Sequence, residues 1–412
     1  MKKLILAFIC LFLALPCKAR TITVDDDGPA DFNNIQAAID DANAGDTIVV
    51  AEGTYYENIR MKDGITLQGS DPHGTIIDGG ENGHVVVFNL ASGTISGFTI
   101  TNSGQSPLYS AGVFTSQCNV RIENNIITNN NIGITLSSNS NGIIVDNKVV
   151  NNSGSRAIKL SYSEATILNN IVAHNSRRAI HCYESLLVVI NNTIANNGTI
   201  GITLSLPSSQ QVIANNIIAQ NEFGIMACGG EESCVPLLYI TYNDVWDNSK
   251  ANYWEEYGVI TILDGGWMVS RPFTPQPGIG EISKNPLFAD AATGDYHLQS
   301  TAGRCDPNSQ TWVADANTSP CIDAGNPGCP LDSEPMPNGN RINVGAYGGT
   351  ATASKTPANW RGIADLTNDW AVDFKDLEVF TNYWLDSGQC IPSDLNRSQS
   401  VNFTDFAIFA DN

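Results

Sequence analysis

Two stretches near the C-terminus space oxygen-bearing residues in one pattern. Asp365, Thr367, Asp369, Asp373 and Asp376 stand at loop positions 1, 3, 5, 9 and 12; Asp394, Asn396, Ser398, Asn402 and Asp405 repeat the set. Ala371 and Ser400 fall at position 7, where the backbone carbonyl is the donor. Such spacing wraps a short loop around one hard cation, and Ca2+ is the ion it fits. The first loop carries four carboxylates and the second only Asp394 and Asp405, so the first is expected to bind more tightly. A different chemistry gathers in mid-chain, where Lys159, His181, Arg156, Arg177 and Arg178 lie near Tyr162, Tyr183, Glu164 and Glu184 on a body otherwise rich in Ser, Thr and Asn. Crowded like charges lower a lysine pKa toward the range where it accepts a proton.

Whether those groups meet depends on the elements that carry them. Five segments align on a paired-Asn step: VRIENNIITNNNIGITL from Val120, IIVDNKVVNNSGSRAIKL from Ile143, TILNNIVAHNSRRAIHC from Thr166, VVINNTIANNGTIGITL from Val188 and VIANNIIAQNEFGIMAC from Val212. Asn125, Asn147, Asn170, Asn192 and Asn216 mark steps of 22, 23, 22 and 24 residues. So short a unit cannot bury its own apolar face and must stack on its neighbours. Ile and Val alternating with polar residues suit strands half-buried against a shared core. The marker Asn residues are expected to form a hydrogen-bonded ladder, with turns about 4.8 Å apart. A leucine-rich horseshoe also repeats Asn, but its helical segment is missing and Ile replaces its Leu framework. The expected fold is therefore an all-β parallel β-helix. In it Ile134, Leu136, Ile158, Leu160, Ile180, Cys182, Ile202 and Leu204 point inward, so Cys182 reads as a buried thiol. Thr135, Lys159, His181, Thr203 and Met226 form an outward column, with two basic groups about 5 Å apart on adjacent turns.

The Asn-Asn-Ile repeats resemble those of right-handed parallel β-helix proteins of the pectate-lyase-like superfamily. FNNIQAAIDDA from Phe32 and GDTIVVAEGTYYENI from Gly45 resemble the N-terminal cap helix and first turn of that family. GITLQGS from Gly64 and GTISGFTI from Gly93 continue the coil. NPLFADAATGDYHLQS from Asn285, SPCIDAG from Ser319 and NVGAYGG from Asn343 resemble the closing region of many secreted bacterial β-helix proteins. The resemblance implies polysaccharide as the partner. If the chain is catalytic, it implies β-elimination, in which Lys or Arg removes the C5 proton of a uronic acid while a cation neutralises the carboxylate. Carried onto this chain, Lys159 is the base, His181 and Arg178 assist, and Arg156, Arg177, Tyr183 and Glu184 contact substrate. The carboxylate cluster that usually holds calcium in those lyases has no counterpart on neighbouring turns. Polygalacturonase-like hydrolysis needs paired carboxylates, and the coil turns carry almost no Asp. Pectin methylesterases share a GTYxE segment, here Gly53 to Glu57, but their later catalytic segments are missing, so Glu57 is expected to be structural. The rival expectation is a non-catalytic surface, assembly or adhesion protein whose coil is a rigid spacer.

The tandem loops, each followed by an apolar helical pattern, resemble a dockerin, a small α-helical, EF-hand-like module through which secreted bacterial polysaccharide-degrading proteins dock. That resemblance implies Ca2+ and a cohesin-like or cell-surface docking partner. Position 6, normally Gly because the chain turns sharply there, is Trp370 in one loop and Gln399 in the other. The apolar run after the second loop is shorter than Leu377 to Leu385, so a truncated end and an incomplete partner-binding face are expected. Chelation is expected to unfold residues 361–412 and leave the coil intact.

Met1 to Ala19, with two lysines and an apolar run from Leu4 to Leu15, reads as a secretory signal peptide. The expected location is extracellular or cell-surface, with no membrane span. The formal net charge of −21 becomes −24 once Lys2, Lys3 and Lys18 leave with the leader. Such a surface argues against nucleic acid and anionic membranes as partners. Cys228 and Cys234 flank a Gly-containing loop and are expected to pair, whereas Cys305, Cys321 and Cys329 cluster with open connectivity. His73, His84 and His297 show no metal-ligand spacing, and His174 reads as a turn residue. The expected organisation is signal peptide 1–19, cap and first turn 20–62, β-helix and closing region 63–350, exposed linker 351–360 and calcium module 361–412.

Overall fold

The computed structural model describes residues 19–105, 110–205, 210–228, 238–256, 261–263, 266–268 and 275–412. The expected signal peptide, apart from Ala19, and the Cys228–Cys234 pairing lie outside the described residues. Among the described residues each coil of chain contributes three short strands, and these stack into three parallel sheets of ten, nine and nine strands. The result is an all-β parallel solenoid of about nine turns. Register is kept from turn to turn: Ile122, Ile144, Ile167, Val189, Ile213 and Ile240 are successive partners in the first sheet, and all are buried. One apolar cluster runs inside the coil from Ile22 to Val245.

Helix α1 (Ile35–Asp41) packs Ile35, Ala38 and Ile39 into the N-terminal end of this core. The Asn34 side chain caps it, and the Glu57 carboxylate accepts from the Ile35 and Gln36 amides at 2.7 and 2.8 Å. A carboxylate there satisfies amides that have no partner within the helix. Glu57 is structural, as the sequence suggests.

Each Asn-Asn step does two jobs. The first residue takes a left-handed backbone, with φ of 50° at Asn124, 56° at Asp146 and 55° at Asn169, a region Asn and Asp enter more readily than most residues. The second joins a ladder. Asn147 Nδ2 donates to Ile122 O, Val145 O and Asn170 Oδ1, while its own Oδ1 accepts from Asn125. A second ladder, Asn130–Asn152–Asn175–Asn197–Asn221–Asn248, runs along the next corner. The single marker per repeat had not singled it out.

The closing region folds back along the coil. Ile171, Ala173, Ala195, Ile217 and Ala219 on the outside of the second sheet are covered by Tyr296, Leu298, Ile322, Val344 and Ala346. Residues 351–360, expected as an exposed linker, instead lie against this layer. Ser354 Oγ donates to Leu298 O at 2.6 Å, Thr356 Oγ1 to Asp323 at 2.8 Å, and Trp360 Nε1 to Ile322 O at 3.2 Å. Helices α2 (Phe374–Asn382) and α3 (Phe403–Ala410) pack around Leu366, Phe380, Leu395, Val401 and Phe409. A disulfide joins Cys329 to Cys390, so Cys329 pairs outside its expected cluster, and Cys305 and Cys321 remain free and buried. No helix among the described residues is long and apolar enough to cross a membrane.

Candidate functional site

Lys159 and His181 are register partners on strands Arg156–Ser161 and Arg178–Tyr183 of the third sheet. Strand alternation breaks once on each: Ala157 and Ile158, and likewise Ala179 and Ile180, are consecutive buried residues. Arg156 therefore reaches the same side as Lys159, and its Nε donates to His181 Nδ1 at 2.8 Å. Because a guanidinium only donates, Nδ1 is an acceptor and the imidazole proton sits on Nε2, facing Ser205 Oγ at 3.2 Å. Burial, then Arg156, Arg178 and Lys159, push the His181 pKa down to about 3. His181 is thus a neutral, buried ring, and the expected pair of cations reduces to Lys159 alone. Burial and then Arg156 also lower the Lys159 pKa. Along the same column Thr135, Thr203 and Met226 are buried, so this part of the outer face is not open surface.

The expected substrate contacts divide. Arg178 is the register partner of Arg156, and Arg177 is exposed beside it. Tyr183 meets Tyr162 edge-to-face at 5.4 Å, at the far end of the strand. Tyr162, Glu164 and Glu184 line an open cleft of ≈ 560 Å³ at the bend beyond, where Lys159 and His181 are not among the lining residues. Its charged side chains are acidic, which does not suit a polyanionic chain. His174 has φ of 55°, the turn role expected of it, and its Nε2 lies 3.0 Å from the Tyr296 hydroxyl.

The two C-terminal loops share one hydrogen-bond skeleton. Asp376 Oδ1 accepts from Thr367 N and Oδ2 from Asp373 N; Asp405 does the same with Asn396 N and Asn402 N. Asp365 accepts from the amides of Asp369 and Trp370, and Asp394 from those of Ser398 and Gln399. Trp370 and Gln399 take φ of 73° and 66°, making at position 6 the turn normally given to Gly. Asp373 and Asn402 cap α2 and α3. Carboxylate oxygens of Asp365, Asp369 and Asp376 lie within 4.8 Å of one another.

Around the first loop stand groups that the motif did not contain. Arg361 Nη1 pairs with Asp365 at 3.1 Å, and both side chains are almost wholly buried. Arg341, fully buried, donates to Gly325 O, Asp365 O and Asn368 Oδ1 at 2.6, 2.6 and 2.7 Å. Asn368 Nδ2 donates onward to Gly280 O and Ala324 O. Lys375 Nζ reaches Asp369 at 2.6 Å. No local pattern marks Arg341, which lies 24 residues before the aspartate whose carbonyl it holds.

Solved structures similar to this chain include three that differ in chemistry. The A-module of the mannuronan C-5 epimerase AlgE4 from Azotobacter vinelandii is 19% identical, covering 53% of this chain and 74% of that one at a TM-score of 0.32. The pectin methylesterase PemA from Erwinia chrysanthemi is 13% identical, with 61% and 74% covered at 0.24. A mannuronic acid specific polysaccharide family 6 lyase from human gut microbiota is 14% identical, with 58% and 76% covered at 0.26. At this level none carries a reaction to this chain. No curated protein matches it. Residues 274–325, in the closing region, match a family described as disaggregatase related. Residues 39–258, more than half the chain and spanning the coil from within α1 onward, match the model described as periplasmic copper-binding protein (NosD). The chain belongs to the NosD family.

Proposed function

We propose that this protein is an exported polysaccharide-binding solenoid, coiled in the right-handed sense of the proteins its repeats resemble, and anchored through a C-terminal two-calcium module of dockerin type. The observation that carries this reading is the duplicated loop, with its repeated hydrogen bonds and its three converging carboxylates. An all-oxygen donor set suits a hard cation. Asp365, Thr367, Asp369, the Ala371 carbonyl, Asp373 and Asp376 hold the first ion, and Asp394, Asn396, Ser398, the Ser400 carbonyl, Asn402 and Asp405 the second. Bound calcium supplies folding free energy to the segment. Arg361 already neutralises part of the Asp365 charge, which opposes the expected advantage of the first loop. The partner is a cohesin-like or cell-surface protein. Export is supported by the apolar leader, and the matched family is described as periplasmic.

Copper, which the family description names, does not fit the described residues. Copper favours imidazole and thiolate donors, whereas the groups that converge among the described residues are all carboxylates. Both His181 nitrogens have partners, and burial holds the Cys182 thiol up at about 12.

A second reading, a β-eliminating lyase on uronic-acid polymers, is favoured by one observation: Lys159 is half-buried with a lowered pKa, the direction a general base needs. Neutral His181 and the buried Thr203 and Met226 weigh against it. The deciding experiment is a glycan array on the full-length protein with calcium, paired with ultraviolet detection of unsaturated product from pectate, alginate and chondroitin. Glycan binding without product supports the binding reading. Product formation that disappears in Lys159→Ala establishes the lyase, and silence in both assays removes the polysaccharide.

A further inference from the structure

We infer that the groove between the coil and the C-terminal module is a separate saccharide site, selective for an uncharged glycan segment. This rests on the reading that the protein engages polysaccharide, but not on the Lys159 column. The groove encloses ≈ 710 Å³, inside the range of ligand sites. One wall is the outer face of the first sheet, with Val212 and Tyr239; the other is Tyr383 and the stretch after α2 that ends at Pro392. Tyr239 on the coil and Tyr383 on the module both line the groove, one from each wall. Gln210 and Gln389 are exposed at the rim and offer amides to sugar hydroxyls, while the aromatic and apolar wall suits the C–H faces of pyranose rings. Among the described residues the lining includes Asp386 and no Lys or Arg, so these residues offer no counter-charge to the carboxylates of a polyuronate. The module wall is pinned to the closing region and through it to the coil: Cys329 and Cys390 are disulfide-bonded, Asn326 Nδ2 donates to Cys390 O at 2.7 Å, and Asn326 N donates to Asn215 Oδ1 at 2.9 Å. A preformed groove loses little entropy on binding.

The test is titration calorimetry of the full-length protein with short oligosaccharides of neutral sugars (glucan, xylan, mannan) and with oligogalacturonate and oligomannuronate. Tyr383→Phe and Gln210→Ala, which remove single hydrogen-bonding groups, are each expected to weaken neutral-glycan binding about tenfold. Tyr383→Ala is expected to weaken it about a hundredfold, with the thermal transition of the coil unchanged. Neutral-glycan binding that persists at full strength in all three variants overturns the site while leaving the polysaccharide reading standing. The same holds if only oligouronate binding responds. Wild-type protein that binds no saccharide overturns both.

Discussion

Among the described residues between Val120 and Cys228 the buried polar side chains are, His181 apart, amides and hydroxyls; in the closing region and C-terminal module, Asp323, Glu334, Arg341, Arg361, Asp365 and Asp376 are buried. An asparagine can donate and accept at once, so identical rungs satisfy one another for as long as the repeat continues. The ladder also has a direction, each amide donating to the next Oδ1, and the first ladder finishes on a carboxyl group. Glu281 Oε1 takes both Asn243 N and Nδ2 at 2.7 Å, and its Oε2 takes the Tyr253 hydroxyl. Past this point no further turn is stacked among the described residues, and single contacts between unlike segments replace the ladder. Such contacts use charge, so this half of the molecule is expected to respond to pH, redox state and metal more strongly than the coil.

The contrast is broken most directly by Asn170→Ala. It orphans the Asn147 backbone amide and removes the side-chain donor to the carbonyls of Ile144 and Leu168 in a buried corner, and about 4 kcal/mol of stability is expected to go. Chemical denaturation reading a cost below about 1 kcal/mol sinks the ladder as the coil's main polar support. Arg341→Met should cost the attachment about 3 kcal/mol, because Asp365 O and Asn368 lose their donor from the closing region. With the Cys329–Cys390 bond reduced, limited proteolysis then frees residues 361–412 while the coil transition keeps its midpoint; equal resistance in wild type and variant contradicts the clamp.

pH separates the regions further. Burial raises Glu334 to about 8 and Asp323 to about 7. With a folded pKa above the unfolded one, the stability these groups contribute is complete below their ordinary range near 4.5 and drains away as pH climbs through about 8. Glu334→Gln should therefore stabilise by on the order of 2 kcal/mol at the alkaline end and change little at the acidic end. Parallel melting curves across the range would show the idea to be wrong. The smallest effect is expected from calcium chelation on oxidised protein. Arg341, Arg361 and the Cys329–Cys390 bond hold the module without metal, so chelation and reduction are needed together to release it. This revises the expectation that chelation alone unfolds residues 361–412. Under chelation and reduction the coil transition should stay within about 0.5 kcal/mol, as followed by circular dichroism.

The coil could be read because Asn125, Asn147, Asn170, Asn192 and Asn216 announce every turn, and because Ile and Val alternate between them. Register followed, and with it the adjacency of Lys159 and His181. The ionisation of that pair could not be read: the broken alternation at Ala157 and Ile158 brings Arg156 onto the imidazole, and burial then keeps it neutral. The two C-terminal loops were visible as spacing, but the sharp turn that Trp370 and Gln399 make without glycine was not. Their attachment was not.

A periodic chain repeats each contact at a constant separation, so composition and spacing alone settle the solenoid, its inward Ile and Val columns and its asparagine seam. Arg341 on the Asp365 carbonyl, Cys329 on Cys390 and the groove between Tyr239 and Tyr383 each occur once, between segments of unlike sequence. Nothing local encodes them. They arise where the closing region packs back on the coil, and burial in that contact sets which groups are charged.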